Sequence, residues 1–378
     1  MTSHRHPHSP LLDHCPQTLP RAAYLDRGWF DREMATIWSH NWVMVGRLAD
    51  FAPGTLRPVK VGPASVIVAR DPSGAVSAFH NTCRHRGSEL CAHEKPLGKL
   101  ITCPYHAWSY AASDGRLIST AYATPTLDFI KDNNGLIPVA RVQWNGFLFL
   151  NLAADPTPLT PDLGLEALKN WPMDSLVTGH RHSRTLDCNW KVFWENYNEC
   201  LHCPGIHPEL CDLVPIYGMG IMTASEATDW TPDQPRQPNL KPGAESWTMT
   251  GAPCGPLFPD LTPEQRQDGF TFVTLYPTAY IVAHVDYLRA VHLQPLGPEQ
   301  TLLTAEWYFP PESLAQPGFH AAEVAAFAKI VLDQDGDAAE MNQRGIRSPA
   351  YVRGRLMPQE FDISRFHHWV LTGMGATP

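Results

Sequence analysis

Three patterns of apolar and polar positions divide this chain. Over residues 11–40, Phe30, Met34, Ile37 and Trp38 recur at helical spacing and predict a helical segment. From Trp42 onward the pattern changes to short apolar runs at 43–46, 56–61, 65–69 and 76–79, which predict strands. Asp71-Pro72-Ser73-Gly74 predicts a hairpin turn before the last of these, and Asp114-Gly115 predicts another. The run 147–150 reads as a buried strand, so residues 41–153 are expected to form a small all-β domain. Asp155-Pro156-Thr157-Pro158 marks the exit into a second domain, 154–378. There the spacing predicts a helix near 189–203 and a proline-rich stretch over 230–263. Antiparallel strands at 271–275, 280–284, 288–293 and 301–309 are expected next, then a long helix over 319–344. Gly336 is expected to interrupt that helix and Gly345 to end it. The fold class is α+β: a tail with a helical segment (1–40), an all-β domain and a larger mixed domain, with no internal repeat.

A length of 378 residues and 43% hydrophobic content suit two cores. The net charge of −9 argues against a nucleic-acid partner. No apolar run is long enough to predict a membrane span. The start, with His4, His6 and His8, lacks the apolar core of a signal peptide and is expected to be disordered, with the protein cytoplasmic. Of nine cysteines, Cys15, Cys91, Cys188, Cys200, Cys203, Cys211 and Cys254 are therefore expected as reduced thiols, several of them packed in the core.

Candidate chemistry enters with Cys83-Arg84-His85 and Cys103-Pro104-Tyr105-His106. Two thiolates on one iron and two imidazoles on the other are the donor set of a Rieske [2Fe–2S] cluster. Structural zinc sites commonly offer a cysteine pair and then a histidine pair, whereas both pairs here are mixed. Leu100-Ile101-Thr102 reads as a strand leading into Cys103, Pro104 stiffens the turn, Gly87 frees the first loop, and Trp108 is placed to shield the cluster.

A second constellation follows at 189–208. His202 and His207 flank Pro204-Gly205, which breaks the helix and lets both imidazoles face one point. Two histidines and one carboxylate make the facial triad of a non-haem Fe(II) oxygenase, with the opposite face open. Cys200-x-x-Cys203 offers the competing reading of a redox pair or half a zinc site, although a second such pair is absent.

With these motifs the chain resembles the catalytic α subunits of Rieske non-haem iron oxygenases, the aromatic-ring-hydroxylating oxygenases. The likeness spans roughly residues 25–358. It is carried by Cys-Arg-His-Arg-Gly at 83–87, Cys-Pro-Tyr-His-Ala-Trp at 103–108, and Asn-Trp-Lys with Glu-Asn-Tyr-Asn-Glu-Cys-Leu-His at 189–202. The resemblance implies a helix-grip catalytic domain and mononuclear Fe(II) held by His202, His207 and an aspartate. Counted back from Gln343-Arg344-Gly345, that aspartate is Asp335, with Asp333, Asp337 and Glu340 as rivals. Many relatives carry Glu-Asp where this chain has Gln334-Asp335. The resemblance makes Glu199, an aspartate in most members, the bridge between a cluster histidine of one subunit and an iron-ligand histidine of the next. It further implies a homotrimer, dioxygen as co-substrate, a small-molecule substrate, and a separate NAD(P)H-dependent flavin/iron–sulfur reductase. The chain itself has no dinucleotide fingerprint.

Within the family, the Asn-Tyr-Asn-Glu-Cys-Leu-His signature looks most like the carnitine and glycine betaine branch, where oxygenation next to nitrogen gives N-demethylation or C–N cleavage. Tyr217, Trp230, Trp247, Tyr276, Tyr280, Tyr287 and Trp307 are candidates for an aromatic cage around such a cation. The runner-up is hydroxylation or O-demethylation of an aromatic acid, for which Arg289 would be the cationic partner unless it lies on a strand surface. A Rieske electron carrier without oxygenase activity is the reading from another class, and the second metal motif argues against it.

Overall fold

A computed structural model describes residues 8–159, 164–234, 237 and 239–375. It divides into two compact units, Met34–Leu159 and Met1–Glu33 with Thr160–Pro378. His4 and His6 lie outside the described residues.

The first unit is built from small antiparallel sheets. Strands β1 (Val43–Arg47), β2 (Thr55–Val61), β3 (Ala64–Arg70), β4 (Val76–His80) and β5 (Lys95–Pro96) lead into β6 (Leu100–Thr102), β7 (Ser109–Ala111) and β8 (Leu117–Ser119). β9 (Ala140–Trp144) and β10 (Phe147–Asn151) close the unit. They pair in the orders β4-β3-β2-β5, β6-β7-β8 and β1-β10-β9. β9 has no counterpart in the sequence reading, although Ala140, Val142 and Trp144 alternate with Arg141 and Gln143 as in a half-exposed strand. One core cluster joins Leu56, Ile67, Phe79, Trp108 and Tyr110 to Cys83 and Cys103, so both cysteines belong to the hydrophobic interior.

The second unit opens with a correction. Residues 11–20 are extended rather than helical, because Pro16 and Pro20 offer no N–H and the backbone pairs with the far end of the chain. Thr18 N–H donates to the Gly354 carbonyl (3.2 Å) and Leu356 N–H to that of Pro16 (2.9 Å). Helices α1 (Ala22–Leu25) and α2 (Arg27–Glu33) follow. The sheet is β11 (Val177–Leu186), β12 (Phe270–Leu275), β13 (Ala279–His284), β14 (Leu288–Gly297) and β15 (Gln300–Phe309), all antiparallel in the order β11-β15-β14-β13-β12. β11 is a further strand that sequence pattern missed; its middle, His180 to Arg184, is polar and partly exposed.

Helices α3 (Trp190–Tyr197), α4 (Cys203–Ile206) and α5 (Pro208–Leu213) come between β11 and β12, with α6 (Pro263–Asp268) just before β12. α7 (Pro311–Leu314), α8 (Ala321–Ile346) and α9 (Phe361–Gly373) complete the unit. Asn189 caps α3, its side chain accepting from Lys191 N–H. α8 runs unbroken through Gly336 and through Gly345, against the expected interruption and stop. Gly336 instead permits close approach: a Cβ there would stand 2.9 Å from Arg184 and from Leu186 on β11.

One ion pair ties the N-terminal segment to α3. Lys191 Nζ lies 2.6 Å from Glu33 Oε1, with both side chains fully buried. Trp29 and Trp190 donate their indole N–H groups to the same carboxylate at 2.9 Å, and Lys191 also donates to Asn189 Oδ1 at 2.7 Å. Breaking a buried pair from one side strands the other charge. Lys191→Met is therefore expected to destabilise this unit by about 3–5 kcal/mol, and the Glu33→Gln/Lys191→Met double variant by less than the single one. Chemical unfolding followed by tryptophan fluorescence checks the order of the two.

Candidate active site

The two cysteine–histidine loops of the first unit are built alike. Cys83 N–H donates to the Ser88 carbonyl (2.8 Å) while Gly87 N–H donates back to the Cys83 carbonyl (2.9 Å). In the second loop Cys103 N–H donates to Trp108 (2.8 Å) and Ala107 N–H donates to Cys103 (3.1 Å). Each turn closes only if the fourth residue after cysteine is left-handed, and Gly87 (φ 79°) and Ala107 (φ 57°) both are. This geometry buries the cysteines and leaves His85 exposed and His106 half-buried. The two imidazoles stand 4.7 Å apart, and Trp108 stacks on His85 at 4.8 Å. Tyr110 places its hydroxyl 3.1 Å from the Cys83 sulfur and accepts from Arg84 N–H.

The environment suits ligation. Burial pushes the Cys103 thiol up, but backbone N–H groups at Tyr105 and His106 outweigh it and favour the thiolate. Desolvation, then Arg86 and His85, holds His106 toward the neutral, metal-binding form. Two buried sulfurs on one side and two imidazoles on the other fit a mixed-ligand [2Fe–2S] cluster.

In the second unit, His202 follows the end of α3, His207 sits between α4 and α5, and Asp335 projects from α8. Their ligand atoms all lie within 4.8 Å of one another. Asp335 Oδ1 is 2.9 Å from His207 Nε2 and 3.5 Å from His202 Nε2. A first-row metal about 2.1 Å from three mutually cis ligands requires them about 3 Å apart, a spacing that both Asp335 distances approach, so this donor set is a candidate for one ion. The rivals point elsewhere. Asp333 pairs with Lys329 and His182, while Asp337 and Glu340 pair with Arg184.

Neighbours fix the donors. Glu199 Oε1 accepts from His202 Nδ1 at 2.6 Å, and its Oε2 accepts from the backbone N–H groups of Leu201 and His202. His207 Nδ1 donates to Gln334 Oε1 (2.8 Å), whose amide donates to Glu209 (3.0 Å). Asn196 donates to Asp335 at 2.6 Å. Burial pushes the His202 imidazole down, but Asp335 and Glu199 outweigh it and hold it up at about 9. Burial pushes Asp335 up, and hydrogen bonds from His202 and His207 outweigh that, holding it well below the usual carboxylate range. Contrary to the expected free thiols, Cys200 and Cys203 are joined in a disulfide across the turn that carries His202. Their Cα atoms are 4.9 Å apart, well within bridging reach.

The triad opens into a cleft with about 630 Å³ of empty space, its mouth included. Of the proposed aromatic candidates Tyr217, Trp247 and Tyr280 line it; Trp230, Tyr276, Tyr287 and Trp307 do not. Tyr197 lines it too, stacked on Tyr280 at 4.1 Å, and its place inside the 189–202 motif is the sequence signal for it. Arg289 is buried and lines the cleft, so it is not a strand-surface residue.

Comparison with known proteins fits this geometry. Residues 173–376 match the family described as ring hydroxylating alpha subunit (catalytic domain), and residues 41–131 match the Rieske [2Fe-2S] domain. This chain thus belongs to the Rieske-type ring-hydroxylating oxygenase α subunits, enzymes whose cofactors are a [2Fe–2S] cluster and a mononuclear iron. It is 31% identical to the glycine betaine monooxygenase oxygenase subunit of Chromohalobacter salexigens over 93% of this chain and 84% of the relative. It is 26% identical to the carnitine monooxygenase oxygenase subunit of Escherichia coli over 93% and 92%. The crystal structure of the quaternary ammonium Rieske monooxygenase CntA with L-carnitine shares the fold, with a TM-score of 0.70, 20% identity, and coverage of 95% and 96%. Among the described residues no helix is long and apolar enough to cross a membrane.

Gln334 supplies a test of the site. It aligns the His207 ring and relays the contact to Glu209. Gln334→Leu is expected to weaken Fe(II) retention by about ten- to a hundredfold, measured as iron content after graded chelator treatment, while the visible spectrum of the [2Fe–2S] cluster is unchanged.

Proposed function

We propose that this chain is the oxygenase component of a monooxygenase that oxidises a quaternary ammonium compound by N-demethylation or C–N cleavage, assembled as a homotrimer and fed electrons by a separate NAD(P)H-dependent flavin/iron–sulfur reductase. The observation that carries the reading is the aromatic cleft opening onto the His202–His207–Asp335 triad, in a chain whose relatives are named as glycine betaine, carnitine and choline monooxygenases.

In this reading Cys83, His85, Cys103 and His106 hold the cluster, and His202, His207 and Asp335 hold the mononuclear iron. When bound, the cluster supplies one-electron transfer and the iron supplies dioxygen activation. The chain does the rest. Tyr197 and Tyr280 stay protonated, because burial raises both phenols, and they present neutral π faces to a cation. Trp247, Phe270 and Phe272 extend the apolar wall and exclude water from the methyl groups. Glu199 fixes the His202 ring through Nδ1, leaving Nε2 for the iron. The bridge from Glu199 to a cluster histidine of a neighbouring chain, and the trimer that requires it, rest on the family resemblance.

Three measurements test the reading. Asp335→Ala is expected to lose the mononuclear iron and all turnover while keeping the cluster's absorption. Glu199→Ala, compared at full iron occupancy, should lose coupled turnover; a normal rate would remove the bridging role. With a reductase and NADH, the enzyme is expected to release formaldehyde or an equivalent cleavage product from a trimethylammonium compound. Ring hydroxylation of an aromatic acid as the sole activity would overturn the substrate class.

A further inference from the structure

We infer that Arg289 is a carboxylate clamp in the wall of the cleft, so that the substrate is a betaine-type zwitterion rather than a plain quaternary alcohol such as choline. This rests on the quaternary ammonium reading above and narrows it.

Arg289 sits on β14, opposite Val282 of β13 and Trp307 of β15, and is only 4% exposed. Its Nε and Nη1 are buried with no hydrogen-bond partner. No carboxylate pairs with it among the described residues; its contact is the face of Trp247, 5.7 Å from the guanidinium carbon. An arginine cannot shed its proton to escape such a site. A buried, unpaired guanidinium is costly, and a ligand anion is what relieves the cost. The guanidinium fork matches a carboxylate through two parallel hydrogen bonds.

The rest of the cleft gives that anion a direction. Among the described residues, the only acids in its wall are Glu199 and Asp335, and His202, His207 and Asn196 already engage them. They lie at the triad end. Tyr280 feels both charges, its phenol pulled down by Arg289 and pushed up by Asp335, though burial outweighs either. Nearby His284 is kept neutral by burial and then by Arg289, so it adds no competing charge. The cleft wall thus holds one cation without a protein partner, Arg289, together with the aromatic faces of Tyr197, Tyr280 and Trp247. A zwitterion places its carboxylate on Arg289 and its N-methyl groups against the aromatic faces. Choline would leave the guanidinium buried and unpaired. An aromatic carboxylate would satisfy Arg289 but bring no cation to the aromatic faces.

The test uses the iron-loaded enzyme without dioxygen, with glycine betaine, L-carnitine, choline and benzoate as probes. In the wild type, glycine betaine or L-carnitine is expected to bind at least about thirtyfold more tightly than choline by calorimetry, and to raise the melting temperature where choline does not. Arg289→Met is expected to collapse that preference by about thirtyfold or more. Arg289→Lys, which keeps charge but loses the fork, should fall between the two. In aerobic turnover the loss should appear mainly in KM. Choline binding as tightly as the betaines in the wild type, or an unchanged preference in both variants, overturns the clamp and leaves the quaternary ammonium reading standing. If benzoate alone binds and Arg289→Met abolishes it, the clamp stands as an anion site but the zwitterion and the quaternary ammonium reading both fall. The wild-type comparison decides the matter even if a variant does not fold.

Discussion

The catalytic unit depends on how closely α8 can lie against β11. Asp335 is one residue from Gly336, where the helix comes so near the strand that even a methyl group would meet Arg184 and Leu186. Arg184 then sorts the acids of α8 by position, holding Asp337 and Glu340 in ion pairs while Asp335 turns inward. With Asp333 held by Lys329 and His182, Asp335 alone of these four carboxylates faces the two histidines.

The same economy appears in the cluster loops. Neither loop forms regular structure, yet each closes on itself with the same pair of backbone hydrogen bonds, around a left-handed residue four positions after cysteine. The closure points the sulfur inward and the imidazole outward. Tyr110 and Trp108 then tie the loops together from opposite ends, one at the Cys83 sulfur and one on the His85 ring. Local backbone geometry, rather than long-range packing, creates the division between a buried sulfur side and an accessible imidazole side.

Much of this was legible where the chemistry is local. The four proposed cluster ligands and both proposed iron-ligand histidines stand out by spacing over a few positions. Asp335 needed the family pattern, since sequence alone does not tell it from Asp333, Asp337 or Glu340; their pairing with Arg184, Lys329 and His182 exists only in three dimensions. Arg289 was ambiguous for a different reason. β14 is buried on both faces through most of its length, so alternation could not say which way the side chain turns. Gly336 was read as a break because glycine weakens isolated helices, but here packing against β11 overrides propensity. β11 is hidden by its polar middle, and the helical spacing that begins at Phe30 does not reach back across Pro16 and Pro20.

The buried Arg289 also has a consequence for how a substrate arrives. The chain carries a net charge of −9, so at long range it draws in cations and repels anions. A zwitterion with no net charge feels neither pull, and its encounter with the protein is insensitive to ionic strength. Selection is postponed until the molecule enters the cleft, where ions in solution no longer screen Arg289 or Asp335. The surface field and the interior field thus favour different molecules, and the interior one decides what stays.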